Sequence, residues 1–251
     1  MSGHSKWATT KRHKMAVDAK RGRIFTKYIK EITIASRVGG GNLDGNSRLR
    51  AIIAKAKQVN MPADNIKNAI KRGTGELPGV NYEDAIYEGY GPSGVAVLVE
   101  TTTDNKNRTT SEIRTLFTRN GGTLGSAGSV SWIFSRKGFI AVDRTKIKED
   151  ELLGLVLDAG AEDMTASDST FDITTNTEDF EKVRDVLAKK GIESSVAEVT
   201  KIPSTYVKLE GGDAVKMLDL MEVLEDHDDV QNVYANFDIS DKIIEEREKN
   251  R

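Results

Sequence analysis

Apolar residues at Ile24, Phe25, Tyr28, Ile29 and Ile32 recur at steps of three and four, which predicts a helix over residues 17–37 with one stripe facing a core. The stretch GGGNLDGN at residues 39–46 stops it, and Leu49, Ile52, Ile53 and Ala56 mark a second helix. Pro62 suits the first turn of a third, short helix carrying Ile66, Ala69 and Ile70, with Gly73 as its stop. Residues 1–79 therefore read as a basic tail plus a small helical domain.

Beyond GTGELPG, residues 73–79, the period changes. Residues 94–103 (GVAVLVETTT) predict a strand, 107–122 a helix with a Gly stop, and 128–134 (GSVSWIF) another strand. FIAVD, a helix near 148–159, MTASD, FDITTN, a helix over 178–190 and SSVAEVT then follow in the order βαββαβ, the ferredoxin-like unit. TYVKLE, a helix over 213–224 and NVYANFDI add β, α, β, half of a second such unit, whose other half is residues 94–134. The expected fold is α+β: an N-terminal helical bundle followed by two ferredoxin-like α/β modules, the third domain inserted into the second. The boundaries are 1–79, then 80–134 with 204–240 as a discontinuous domain, and 135–203 as the insert. A continuous arrangement, with the last strands and helices docked C-terminally, is the competing topology.

Charge changes the picture at the N-terminus. The whole chain carries 37 Lys and Arg against 39 Asp and Glu, yet its first 72 residues hold 17 of the bases and 4 of the acids. Such a split is what a polyanion-binding module joined to differently employed domains produces; a solvated basic helix face without a partner is the alternative. Lys20, Arg23, Lys27 and Lys30 step by three or four and stack on one helix face, self-repulsive unless an anion neutralises them. Lys6, Lys11, Arg12, Lys14, Arg21, Lys71 and Arg72 extend the candidate surface, and Trp7 with His4 adds flat groups suited to stacking on an exposed base or packing into a protein groove. A secondary basic patch comprises Lys106, Arg108, Arg114 and Arg119.

Other chemistry finds little support. With no Cys there is no disulfide, thiol nucleophile or Cys-ligated zinc, and three His make a poor metal set, so neither metal nor cofactor is expected. GGGNLDG and GTGELPG lack the Lys-Ser/Thr ending of a P-loop and read as linkers, and YGPSG reads as a tight turn. EDHDDV at 225–230 lacks a calcium-loop pattern and reads as a solvated loop. No nucleophile elbow accompanies the Ser, His and Asp residues, so the chain is not expected to be an enzyme. The longest aliphatic run, VAVLV at 95–99, is far too short to span a bilayer, and the N-terminus has no secretory apolar segment. A cytoplasmic protein without a membrane partner is expected.

GHSKW at residues 3–7, DAKRG at 18–22 followed by IFTKYIKEI, AIKRGTGE at 69–76, YEGYGPSGVAVLVE at 87–100 and NGGTLGSAGSVSWIF at 120–134 occur in this order, and across essentially its full length the chain resembles the YebC/PmpR family. It departs from the pattern at TTTDNKNRT, residues 101–109, and at ATTKRHK, residues 8–14. The resemblance implies an N-terminal helical domain followed by two α/β domains. Bacterial members carry the label of probable transcriptional regulatory protein with DNA as the proposed ligand, whereas others resemble translation factors acting on ribosomes, including an organellar activator of cytochrome oxidase synthesis. The expected function is a non-enzymatic regulator of gene expression that docks on DNA or ribosomal RNA through its first domain, with RNA and the ribosome slightly favoured because Lys and Arg faces suit phosphates better than base edges. A protein-interaction scaffold without nucleic-acid binding is the reading from another class; the oligomeric state is not legible.

Overall fold

The computed structural model describes residues 18–167 and 169–249. Three helices come first: α1 (Asp18–Gly39), α2 (Ser47–Gln58) and α3 (Ala63–Thr74). Ile32 and Ala35 of α1 meet Leu49, Ile52, Ile53 and Ala56 of α2 and Ile66 and Ala69 of α3 in one buried cluster, the stripe predicted from the apolar spacing. Asn46 joins α1 to α2. Its Oδ1 accepts from the Leu49 amide at 3.0 Å as an N-cap, and its Nδ2 donates to the Ala35 and Gly40 carbonyls at 2.8 Å each, satisfying helix-end groups on both sides. Helices α1 and α3 come close at Gly73, where a Cβ would lie 2.4 Å from the Thr33 carbonyl oxygen and 2.6 Å from the Ser36 Cβ. The helix stop is the next glycine, Gly75, at φ 85°.

The chain then builds two four-stranded sheets. Strands β1 (Glu83–Tyr90) and β2 (Ala96–Thr103) form a hairpin, and α4 (Lys106–Arg119) leads to the two-residue β3 (Thr123–Leu124). Next come β4 (Phe134–Asp143), α5 (Glu149–Asp158), β5 (Ala161–Ala166), β6 (Thr170–Thr175), α6 (Phe180–Lys189) and β7 (Ser194–Pro203). The chain ends with β8 (Val207–Lys208), α7 (Gly211–Glu225), β9 (Val230–Ala235), β10 (Phe237–Asp238) and α8 (Asp241–Lys249). The protein is α+β, with N-terminal helices followed by sheets, as expected.

One sheet has the order β5-β6-β4-β7 with every neighbour antiparallel, which is the ferredoxin-like arrangement of a βαββαβ unit. The other, the first in the chain, has the order β3-β1-β2-β9, so its last strand lies beyond β4–β7 in sequence. Its spatial plan is the same, but the central strand expected from TYVKLE is supplied by β1, which precedes the others. Within TYVKLE only Val207 and Lys208 pair, in parallel with Phe237 and Asp238, as a separate two-stranded ribbon.

Residues 128–134 also differ from expectation. Instead of a strand they form a loop containing a 3₁₀ turn at Ser131–Ile133. Val130 and Ile133, three apart, are both buried while Trp132 is 73% exposed. A strand would have placed Val130 and Trp132 on one side and Ile133 on the other.

The β2 face formed by Val95, Val97 and Val99 packs with Ile113 and Phe117 of α4 and with Met217, Leu218 and Met221 of α7. The opposite face, Ala96 and Leu98 with Tyr234, is covered by Val130, Ile133 and Phe134 of the loop. In the second sheet, Ile140, Val142, Phe171 and Ile173 pack against Leu152 and Val156 of α5 and Val183 and Leu187 of α6.

We propose that residues 135–203 are an inserted domain, with 80–134 and 204–240 forming the discontinuous one and 1–79 the helical one. The two crossing points are adjacent, since Phe134 is the register partner of Pro203 and the Ser204 amide donates to the Ile133 carbonyl at 2.9 Å. Excising 135–203 and joining the ends by a short turn is expected to leave a cooperatively unfolding remainder, and the excised segment is expected to fold alone, both followed by circular dichroism; an unfolded insert and an aggregating remainder would refute the division.

Two glycines give opposite expectations. Gly73→Ala forces α1 and α3 apart and should destabilise by about 1–3 kcal/mol, whereas Gly154→Ala in α5, where a Cβ meets nothing within 4 Å, should stabilise by up to about 1 kcal/mol. Urea denaturation of both variants checks the pair.

Candidate nucleic-acid interface

The helix face expected to carry Lys20, Arg23, Lys27 and Lys30 is divided in use. Lys27 Nζ donates to the Glu225 carbonyl at 2.6 Å, and Lys30 Nζ to the Asp228 carbonyl at 3.1 Å and to Asp229 Oδ1 at 2.5 Å. Both lysines therefore meet the C-terminal end of α7 and the turn after it, where unpaired carbonyls and the helix dipole favour a cation. Lys30 is buried, so its place in a solvent-facing polyanion surface is corrected: its ammonium holds α1 against the first sheet's domain. Lys27 is likewise engaged at this seam. Arg23 is exposed, at the outer part of the same helix.

Asp229 is the other half of the seam. Besides Lys30, its carboxylate accepts from Arg108 at 2.8 Å, Thr109 Oγ1 at 2.7 Å and Thr103 Oγ1 at 3.1 Å. Burial alone would raise its pKa, but the bonds from Lys30, Arg108 and Thr109 outweigh that and hold the carboxyl well below the usual carboxylate range. EDHDDV is thus not simply a solvated loop. Asp229 is buried, and its binding partners come from α1, from the end of β2 and from the start of α4. The signal that could have found it is the departure TTTDNKNRT, whose threonines Thr103 and Thr109 are fully buried and so require polar partners.

Of the secondary patch, Lys106 pairs with Glu83 at 2.8 Å, and Arg108 pairs with Asp104 and Asp229, each at 2.8–2.9 Å. Both side chains already hold carboxylates of this chain yet stay about half exposed, Lys106 at 50% and Arg108 at 44%. Arg114 and Arg119 remain exposed without an ion pair among the described residues. In the helical domain Lys55, Lys57, Lys67 and Arg72 are exposed, Lys71 is half-buried, and none of these has an ion pair among the described residues. Lys67 and Lys71 are one turn apart on α3. Lys6, Trp7, Lys11, Arg12 and Lys14 lie outside the described residues; Lys20 and Arg21 belong to α1, without described side chains.

Glu112, His227 and Asp229 bring ligand-type atoms within 4.8 Å of one another. His227 Nδ1 accepts from the Asp229 amide at 3.1 Å, which leaves its proton on Nε2, 3.0 Å from Glu112 Oε2. With Asp229 already holding two cationic side chains, the group works as a hydrogen-bonded seam and is a poor cradle for a metal ion. A hollow of about 540 Å³ lined by Arg144, Lys146, Lys148, Glu149, Glu151 and Phe171 is an open surface depression. No helix among the described residues is long and apolar enough to cross a membrane.

Residues 5–76 match the TACO1/YebC protein N-terminal domain, and residues 82–237 match the TACO1/YebC second and third domain. The chain belongs to the TACO1/YebC family. A probable transcriptional regulatory protein of Dictyoglomus turgidum is 56% identical over 98% of this chain and 99% of its own length, and one of Syntrophus aciditrophicus is 58% identical over 98% of each. A crystal structure of a conserved hypothetical protein from Aquifex aeolicus is similar with a TM-score of 0.74 at 47% identity, covering 88% of this chain and 92% of that one. The sequence resemblance to YebC proteins is therefore borne out over the full length, and the family label is that of regulators.

Asp229→Asn leaves Lys30 buried beside a neutral partner and should cost about 3–5 kcal/mol in urea denaturation, with Lys30→Met non-additive to it in a double-mutant cycle. The pH dependence follows in sign. Because the folded carboxyl titrates below its ordinary value near 3.9, its contribution is fully present above about pH 4 and is lost as pH falls through the lower folded value. Asp229→Asn should flatten that part of the acid-unfolding profile.

Proposed function

We propose that this TACO1/YebC chain is a non-enzymatic, cytoplasmic regulator of gene expression that binds nucleic acid through residues 1–79, with ribosomal RNA on the ribosome as the favoured ligand. The observation that carries this is the 17 to 4 excess of basic over acidic residues in the first 72 positions, of which Arg23, Lys55, Lys57, Lys67 and Arg72 are exposed and without ion pairs among the described residues. Lysine and arginine displayed this way bind phosphates through charge and counterion release, a mode that needs density rather than a fixed motif. The net acidic charge of the α/β part disfavours broad contact with a polyanion, so any contact there is local and the rest faces away from it or meets protein.

A second reading, binding to a DNA operator, is favoured by the name of the relatives, probable transcriptional regulatory proteins. Helices α2 and α3, joined through QVNMPAD, could act as a helix-turn-helix, with α3 presenting Asn68 between Lys67 and Lys71. A protein-interaction scaffold, from a different class, predicts no salt-sensitive binding to any polynucleotide.

Lys27 and Lys30 are unsuitable for testing this, since changing them would undock α1. Replacing Arg23, Lys57, Lys67, Lys71 and Arg72 with Gln is expected to weaken binding and to reduce the slope of log affinity against log salt by about 0.9 for each phosphate no longer neutralised on duplex DNA, or about 0.7 on a single strand. An unchanged slope in the folded variant would sink the proposal. Competition at physiological salt separates the two ligands: ribosomes or ribosomal RNA should displace a random duplex at lower concentration than promoter fragments do, and a promoter fragment that wins by about a hundredfold, on the order of 2.7 kcal/mol, returns the chain to the operator reading.

A further inference from the structure

The loop over residues 125–134 covers the face of the first sheet opposite its helices, and Glu88 anchors its backbone there. Glu88, buried on β1, accepts from the amides of Gly128 at 2.7 Å and of Val130 and Ser131 at 2.8 Å each, while its own carbonyl accepts from Gly125 at 2.8 Å. Burial would raise the Glu88 pKa, yet these backbone bonds outweigh it and lower it, so the latch is a carboxylate at neutral pH. The loop turns Val130 and Ile133 inward and leaves Trp132 outside at 73% exposure.

A second aromatic stands at the same place. Tyr90, 40% exposed at the end of β1, donates its hydroxyl to the Ser129 carbonyl at 3.1 Å, and Trp132 Nε1 donates to that same carbonyl at 3.1 Å. Both polar handles thus point into the protein, and what the pair offers to solvent is ring surface. A partner that needs hydrogen bonds gains none from these donors; a flat π system gains two rings already fixed in position. Arg119, the last residue of α4, is connected in sequence to this place: the turn after it leads to Thr123, the strand partner of Tyr90. Arg119 is exposed, with no ion pair among the described residues.

We infer that Tyr90 and Trp132 form a stacking platform for unpaired bases of a single nucleic-acid strand, with Arg119, four residues before the strand partner of Tyr90, as the candidate phosphate contact. Rings and a cation together match the way sequence-tolerant single-strand binders work, and a duplex, whose bases are already stacked, cannot use the rings. This inference rests on the chain's binding nucleic acid, and it adds a second point of contact, on the first sheet's domain, far along the chain from the basic tail.

The test uses the full chain and two probes of equal length, an oligoadenylate and an abasic ribose-phosphate strand, titrated at physiological salt. The oligoadenylate should bind about tenfold or more tighter than the abasic strand and quench the part of the tryptophan fluorescence that Trp132→Ala removes. Trp132→Ala should erase the difference between probes while leaving abasic affinity as it was, Trp132→Phe should retain most of it, and Arg119→Gln should weaken both probes alike. Equal affinity for the two strands with no quenching overturns the platform and leaves the nucleic-acid reading standing. Failure of both strands to bind overturns both. Quenching of Trp132 by a proline-rich peptide and not by the oligoadenylate would make the rings a protein-docking surface and overturn the inference.

Discussion

Asp229 is a carboxylate removed from water where three stretches of chain meet, and such a group is tolerated only with nearly complete compensation. An unpaired buried carboxylate costs several kcal/mol, and here Lys30 from α1, Arg108 and Thr109 from α4 and Thr103 from β2 supply four donors to two oxygens. Since Lys30 is also buried, neither charge can leave alone. The consequence is an orientation: α1 is pinned with Lys27 and Lys30 over the end of α7. The exposed cations of α2 and α3, which pack on α1, are thereby held in a definite place relative to the first sheet. The placement of the basic surface relative to the first sheet rests chiefly on this buried ion pair, with the exposed Arg48–Asp84 pair beside it.

Part of this was legible in the chain. The three helices announced themselves by apolar spacing and glycine stops, and the βαββαβ order of residues 134–203 gave a sheet with the ferredoxin-like strand order, because alternation and helix length there are locally determined. The strand β1 was not legible. Its burial depends on loop 125–134 covering one face and α4 the other, so EDAIYEGY has no regular alternation of its own, with Ile86 and Tyr90 exposed and Glu88 and Gly89 buried. GSVSWIF reads as a strand from its β-branched and aromatic content; the partners that make it a turn, above all the carboxylate of Glu88, lie about forty residues earlier.

The candidate site was legible as charge and illegible as use. Counting lysines and arginines located the basic segment, but helical spacing alone cannot tell a lysine that faces water from one that meets a helix end. Lys30 and Arg23 occupy the same predicted stripe, and one is buried against Asp229 while the other is exposed. Likewise Arg108 and Arg119 begin and end the same helix, one engaged by Asp104 and Asp229, the other exposed. The acid common to both cases, Asp229, lies 121 residues from Arg108 and 199 from Lys30, which periodicity does not register. A buried pair of threonines was the local trace they left.

The sheet order β3-β1-β2-β9 also has a temporal side. During synthesis β2 leaves the ribosome with Thr103, but its outer neighbour begins at Val230, a delay of about 6 to 25 seconds at roughly 5 to 20 residues per second. Throughout that interval Val97 and Val99 lie on a strand with one bare edge and without α7 to cover them, the kind of surface that pairs with other chains. Strands β4 to β7, by contrast, find all their neighbours within their own stretch of sequence, so a translation pause between Pro203 and Val230 leaves one sheet able to form and the other open. Natural or engineered truncations ending before Val230 would therefore carry the unpaired β2 edge permanently, and the hazard of such a fragment is self-association rather than simple loss of a domain.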